Sequence, residues 1–134
     1  MYSKIKKEKP LVFIVEDSAA YRVLLGRVLE NRGFMVMMFE HGRKAADMLN
    51  YVKPTLILSD ISMPCMDGFE FHEYVKRNFG KLNIPFVYLS SSTSETDKRK
   101  ALNMGARRIL RKPISPQNLA SILDTVLEEE QMVS

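Results

Sequence analysis

Cysteine, histidine and long apolar runs are all scarce in this chain of 134 residues. The single cysteine, Cys65, allows no internal disulfide and no cysteine-built zinc site, and a lone thiol suits a reducing compartment. The two histidines, His41 and His72, have no ligand spacing between them and are expected to be ordinary surface or edge residues. No apolar stretch approaches the ~20 residues needed to cross a bilayer. Met1 to Pro10 carries lysines with no apolar segment before Leu11, which argues against a secretory signal and for a cytoplasmic, non-membrane protein. Internal repeats and low-complexity segments are also missing. What remains is a length suited to one domain with its own core.

Hydrophobic residues make up 46% and charged residues 27%, the profile of a globular protein. The net charge of +4 raises the question of nucleic acid, but the excess is scattered. Part lies in Lys4, Lys6, Lys7 and Lys9, part in Lys98 to Lys100, and part in Arg107 to Lys112. Charge spread this way is solvated surface rather than a recognition stripe, so no direct nucleic-acid binding is expected. Arg107, Arg108 and Arg111 suit a partner-binding surface and a solvated edge equally well.

Leu11 to Val15 is a continuous run of branched and aromatic residues and reads as a strand buried on both faces. Ala19 to Asn31 carries Tyr21, Leu24, Leu25, Val28 and Leu29 at helical spacing, with Ser18 as N-cap and Gly33 past the end. Met35 to Phe39 reads as a second strand and Arg43 to Tyr51 as a short helix. Leu56 to Leu58, ending at Ser59-Asp60, is the third strand. Phe69 to Phe79 is helical, with Phe71, Tyr74 and Val75 on one side. Phe86 to Leu89, Glu95 to Met104, Arg108 to Leu110 and Pro116 to Glu130 complete the alternation. Five alternations with short links predict right-handed crossovers and a doubly wound parallel sheet with helices on both faces. The expected organisation is a flexible basic tail at 1–9, a folded domain at 10–130, and a tail or linker start at 131–134. The nine methionines are expected as core filler.

In open α/β sheets, sites form where strands end. The first strand delivers Glu16 and Asp17, the third Asp60, the fourth Ser90, and the fifth Lys112. Crowded carboxylates repel unless a cation shares them, and a hard divalent ion with oxygen ligands meets that need. A carboxylate can attack a phosphoryl group, while metal and lysine offset the charge on the transferring oxygens. Taken singly, Asp60 is also consistent with a plain helix-flanking acid, and Glu16-Asp17 with favourable charge at a helix start.

Asp60-Ile61-Ser62-Met63-Pro64-Cys65-Met66-Asp67-Gly68, with Glu16-Asp17, Ser90-Ser91 and Lys112-Pro113 in order, resembles the receiver domain of two-component response regulators from about Leu11 to Leu127. The resemblance implies a flavodoxin-like sheet of order 2-1-3-4-5 with Asp60 as phosphoacceptor. Asp17, Glu16 and Asp60, with the Ser62 backbone carbonyl, would hold magnesium, with manganese as the alternative ion. Lys112 would pair with the phosphoryl group. Ser90 would move toward it on activation, and the Ser91 amide would lie nearby. Asp67 is expected to cap a helix. The acidic pair is Glu-Asp rather than two aspartates. Ile109 stands where many receivers carry an aromatic residue that swings inward, which puts that route of signal transmission in question.

The implied partners are a sensor histidine kinase or histidine phosphotransfer protein, an unidentified downstream effector, and a second copy through the last two helices and strand five. Two rivals fit less well. Aspartate-dependent phosphatases carry an acid two residues past the nucleophile, where this chain has Ser62. A non-signalling pseudo-receiver would not need every charged site residue.

Overall fold

The computed structural model describes residues 9–92 and 94–133. The expected basic tail therefore lies, except for Lys9, outside the described residues. The elements run β1 (Leu11–Val15), α1 (Ala19–Asn31), β2 (Met35–Phe39), α2 (Gly42–Met48), β3 (Leu56–Asp60), α3 (Gly68–Phe79), β4 (Phe86–Ser90), α4 (Glu95–Asn103), β5 (Arg108–Arg111) and α5 (Pro116–Val133). One 3₁₀ turn, Gly80–Leu82, follows α3. The strands are parallel and ordered β2-β1-β3-β4-β5, as expected.

Period-two alternation along the central strands sends side chains to two separate cores. Phe13, Val15, Ile57, Phe86 and Tyr88 face α2, α3 and α4. Val12, Ile14, Leu56, Leu58, Val87 and Leu89 meet Leu25 and Leu29 of α1 and Leu119, Leu123 and Val126 of α5. Residues 12–15 are fully buried, and each large side chain so placed stabilises the fold by about 1.5–3 kcal/mol. That two-sided burial is why β1 reads as an unbroken apolar run.

Helix starts follow the expected chemistry. Ser18 Oγ accepts the Tyr21 amide at 3.3 Å, and Ser94 Oγ accepts the Asp97 amide at 3.3 Å. Asp67 and Glu70 bond each other's backbone amides in a capping box that opens α3. Gly33 (φ +93°) and Gly105 (φ +90°) take the left-handed turns after α1 and α4.

Several expectations change. The second helix is Gly42–Met48 rather than Arg43–Tyr51, because the backbone breaks into turns from Leu49 to Tyr51; Leu49 stays in the core while Tyr51 is 84% exposed. The last helix runs on to Val133. Leu24 and Tyr74 lie exposed rather than inward. Met35 and Met38 are also exposed, since β2 is an edge strand with only part of its surface covered. The largest correction is His72, which is buried in the α3 face of the core. It stacks on Phe86 at 4.0 Å, and its Nδ1 lies 2.7 Å from the Tyr88 hydroxyl.

Candidate acidic site at the carboxyl rim of the sheet

β1 and β3 are adjacent parallel strands in register from Val12↔Leu56 to Val15↔Ser59, so their carboxyl ends bring Glu16 and Asp60 side by side. Glu16 is fully buried. Its amide donates to the Phe39 carbonyl at 3.0 Å, and its carbonyl accepts Arg22 Nη1 at 2.7 Å. Oε2 accepts the Ser18 amide at 3.0 Å. Oε1 has no partner of hydrogen-bond geometry, but Lys112 Nζ reaches it as an ion pair at 2.6 Å. Asp17, the next residue, is exposed. Asp60 is buried at the end of β3, and its Oδ2 accepts Lys112 Nζ at 2.9 Å.

Lys112 follows β5, and its amide donates to the Ser90 carbonyl at 2.8 Å, which fastens the lysine to the end of β4. Its ammonium thus bridges two carboxylates that are delivered by two different strands, β1 and β3. Burial pushes the Glu16 carboxyl above the ordinary range and outweighs the opposing bonds from Lys112 and Ser18. Burial also pulls the Lys112 ammonium down, yet bonds to Glu16 and Asp60 more than reverse this, so it ends above ordinary lysine.

One carboxylate oxygen each from Glu16, Asp17 and Asp60 lies within 4.8 Å of the others. Three carboxylates against one ammonium leave two negative charges in a partly dry pocket. That donor set, all oxygen, suits a hard divalent cation. Asp17 lines a cleft of about 600 Å³ with Ser62, Met63, Asp67, Asp97 and Lys100, which gives the acids an open side.

The remaining expected residues are placed less uniformly. Ser90 ends β4 and is buried, and its hydroxyl is turned into its own loop. There it donates to the Ser92 carbonyl at 3.1 Å and accepts the Ser92 amide at 3.0 Å. Ser91 and Ser62 are exposed on the rim loops. Ile109 pairs with Tyr88 across β4–β5 and packs half-buried against the α3–α4 core, one register position below the level of Asp60. Two residues beside the acids were not singled out from the sequence. Arg22 holds the Glu16 carbonyl, and the Tyr21 ring covers Lys112 Nζ at 5.2 Å from its centroid. Their signal was position alone: both sit in the first turn of a helix whose start opens on the rim.

A five-stranded parallel sheet of this order, with acids after β1 and β3 and a lysine after β5, is the architecture of a two-component signalling receiver. The sequence matches the response regulator receiver domain family over residues 12–124, and the chain belongs to that family. It is 30% identical over 124 residues to two-component response regulator ORR3 of Oryza sativa subsp. indica, across 92% of this chain and 95% of that protein. It is 34% identical over 116 residues to the phosphate regulon transcriptional regulatory protein PhoB of Escherichia coli K12. That match covers 87% of this chain and 51% of PhoB, so the chain spans about half of PhoB. Chemotaxis protein CheY4 of Vibrio cholerae superposes with a TM-score of 0.83 at 30% identity, over 88% of this chain and 98% of that one. No helix among the described residues is long and apolar enough to cross a membrane.

Proposed function

We propose that the domain, taken as residues 10–130, is a phosphoryl-accepting switch with Asp60 as the acceptor. The observation that carries this is the Lys112 bridge: one ammonium is held 2.9 Å from Asp60 Oδ2 and 2.6 Å from Glu16 Oε1, within a three-acid cluster. An Asp60 oxygen bonds to phosphorus while the bond from phosphorus to a donor imidazole nitrogen breaks. The electron pair leaves with the imidazole. The donor is a phosphohistidine on a sensor kinase or a phosphotransfer protein.

Glu16, Asp17 and Asp60, with the Ser62 carbonyl, are the residues that would hold magnesium or manganese. When bound, the ion neutralises charge on the phosphoryl oxygens. Lys112 supplies a second positive charge to the same oxygens. Ser90 is the hydroxyl available to a phosphoryl oxygen, at the loss of its two bonds to Ser92, and the Ser91 amide flanks it. Breaking that small loop is how phosphorylation would reach α4 and the face built from α4, β5 and α5. An effector, or a second copy of this chain, would read that face. At position 109 an isoleucine cannot swing as an aromatic would. Its cross-strand neighbour Tyr88 is aromatic, but that ring is held by His72 and by a hydrogen bond to Met104 Sδ at 3.8 Å.

Incubated with acetyl phosphate and magnesium, the protein should gain about 80 Da, the mass of one phosphoryl group. Asp60→Asn should show no gain in the same intact-mass measurement, and an adduct that persists would overturn the assignment. Asp17→Ala should weaken magnesium binding by about tenfold or more, since even residues one step removed from a metal are worth that much. Titration calorimetry that finds unchanged affinity would remove Asp17 from the ligand set.

A further inference from the structure

Lysine is a flexible point charge on a four-carbon stem, and a side chain of that kind does not hold a position without help. The Lys112 ammonium has acids on two sides, Glu16 and Asp60. On a third side stands the Tyr21 ring, with the ammonium over it at 5.2 Å from the centroid, inside the range of cation–π attraction. Tyr21 is itself anchored. Its amide is bound by Ser18 Oγ, and its body packs against the α1–α5 core. Its hydroxyl accepts the Ile114 amide at 3.5 Å, a long bond that reaches the chain two residues past Lys112. One side chain of α1 therefore touches both the lysine and the loop that carries it.

A ring face suits this task better than another polar group. It attracts the ammonium without adding a formal charge beside Glu16, and it offers no strong acceptor to draw Nζ away from Asp60. We propose that Tyr21 is a positioning residue for phosphoryl transfer: its ring keeps the Lys112 ammonium over Asp60, and its hydroxyl ties down the loop after Lys112. This rests on the proposed acceptor role of Asp60. The ring does the aiming, so phenylalanine should substitute for most of it.

The test compares wild type, Tyr21→Phe and Tyr21→Leu for the rate of modification by acetyl phosphate with magnesium, magnesium affinity, melting temperature, and the proton shift of the Lys112 ε-methylene. Tyr21→Leu should slow modification by about three- to tenfold, the range a partly exposed cation–π contact supports. Its magnesium affinity should be unchanged, and the ε-methylene signal should lose the shielding the ring provides. Tyr21→Phe should recover most of the rate and the shielded shift. Wild-type speed in Tyr21→Leu would overturn the proposal. So would equal slowing in both variants alongside equal loss of melting temperature, which marks a merely structural residue. If wild type itself takes no phosphate, the acceptor reading fails, and the lysine shift still decides whether the ring holds Lys112.

Discussion

Gly68→Ala should destabilise the domain by about 2–4 kcal/mol, a drop in melting temperature of roughly 7–14 °C for a chain of this size. Ordinary helix propensity argues for the opposite sign, since alanine in place of a helical glycine gains about 1 kcal/mol. Geometry decides against it. Gly68 is buried at the first position of α3, and its amide donates to the Ile61 carbonyl at 2.7 Å. A Cβ there would lie 2.9 Å from Ile61 Cα and 3.1 Å from the Asp60 carbonyl carbon, and closer still to the Asp60 carbonyl oxygen. All three are backbone atoms, so no rotamer relieves the clash. Either α3 moves off, and loosens the burial of Phe69, Phe71 and Val75, or the end of β3 moves and carries Asp60 with it. The second route would also weaken magnesium binding, so thermal melts and metal titration on the same variant tell the two apart. A melting temperature at or above wild type would show that the helix start has room for a methyl group and would overturn the prediction.

Gly68 is part of the motif that carries the family resemblance, but the reason for glycine there, a close approach to the acceptor's own backbone, lies between segments and has no local signature. The same division runs through the molecule. β1, β3 and β4 were legible because burial on both faces forces continuous apolar runs, and Glu16, Asp17, Asp60 and Lys112 were legible because parallel strands all end on one rim. The exposure of Met35 and Met38 was hidden, because an apolar strand does not announce that it lies at a sheet edge. Arg22 and Tyr21 were hidden because α1 meets the end of β5 only through the fold. His72 was hidden for a different reason. An imidazole next to Phe71 on an amphipathic helix goes to either side of the boundary, depending on whether the core offers it a partner. The partner is Tyr88, on another element.

Burial of that histidine should make the protein acid-labile in a defined window. Desolvation, and secondarily the neighbouring Lys76, lower the His72 pKa from 6.5 to about 4. In the native state the ring stays neutral down to about pH 4, whereas in the unfolded chain it protonates near 6.5. Between those values the unfolded state binds more protons, so stability falls as pH falls. The contribution is fully present above pH 6.5, declines through the window, and is gone below about 4, a total of about 3 kcal/mol at 1.36 kcal/mol per unit. Protonation also places a charge in the dry core beside Lys76, with no acid of α3 or β4 hydrogen-bonded to the imidazole. Other carboxyls also take up protons as pH falls, and burial raises that of Glu16 above its ordinary value, so wild type alone does not isolate the effect. His72→Phe does, because phenylalanine keeps the stack on Phe86 and carries no proton, though it gives up the bond to Tyr88. Urea denaturation of both proteins from pH 7.5 to 4 should show the wild type losing about 3 kcal/mol more than the variant. The variant, weaker at neutral pH by the lost hydrogen bond, should overtake the wild type near the acid end. Parallel curves would mean that His72 protonates in place and that the core around Tyr88 is open to water.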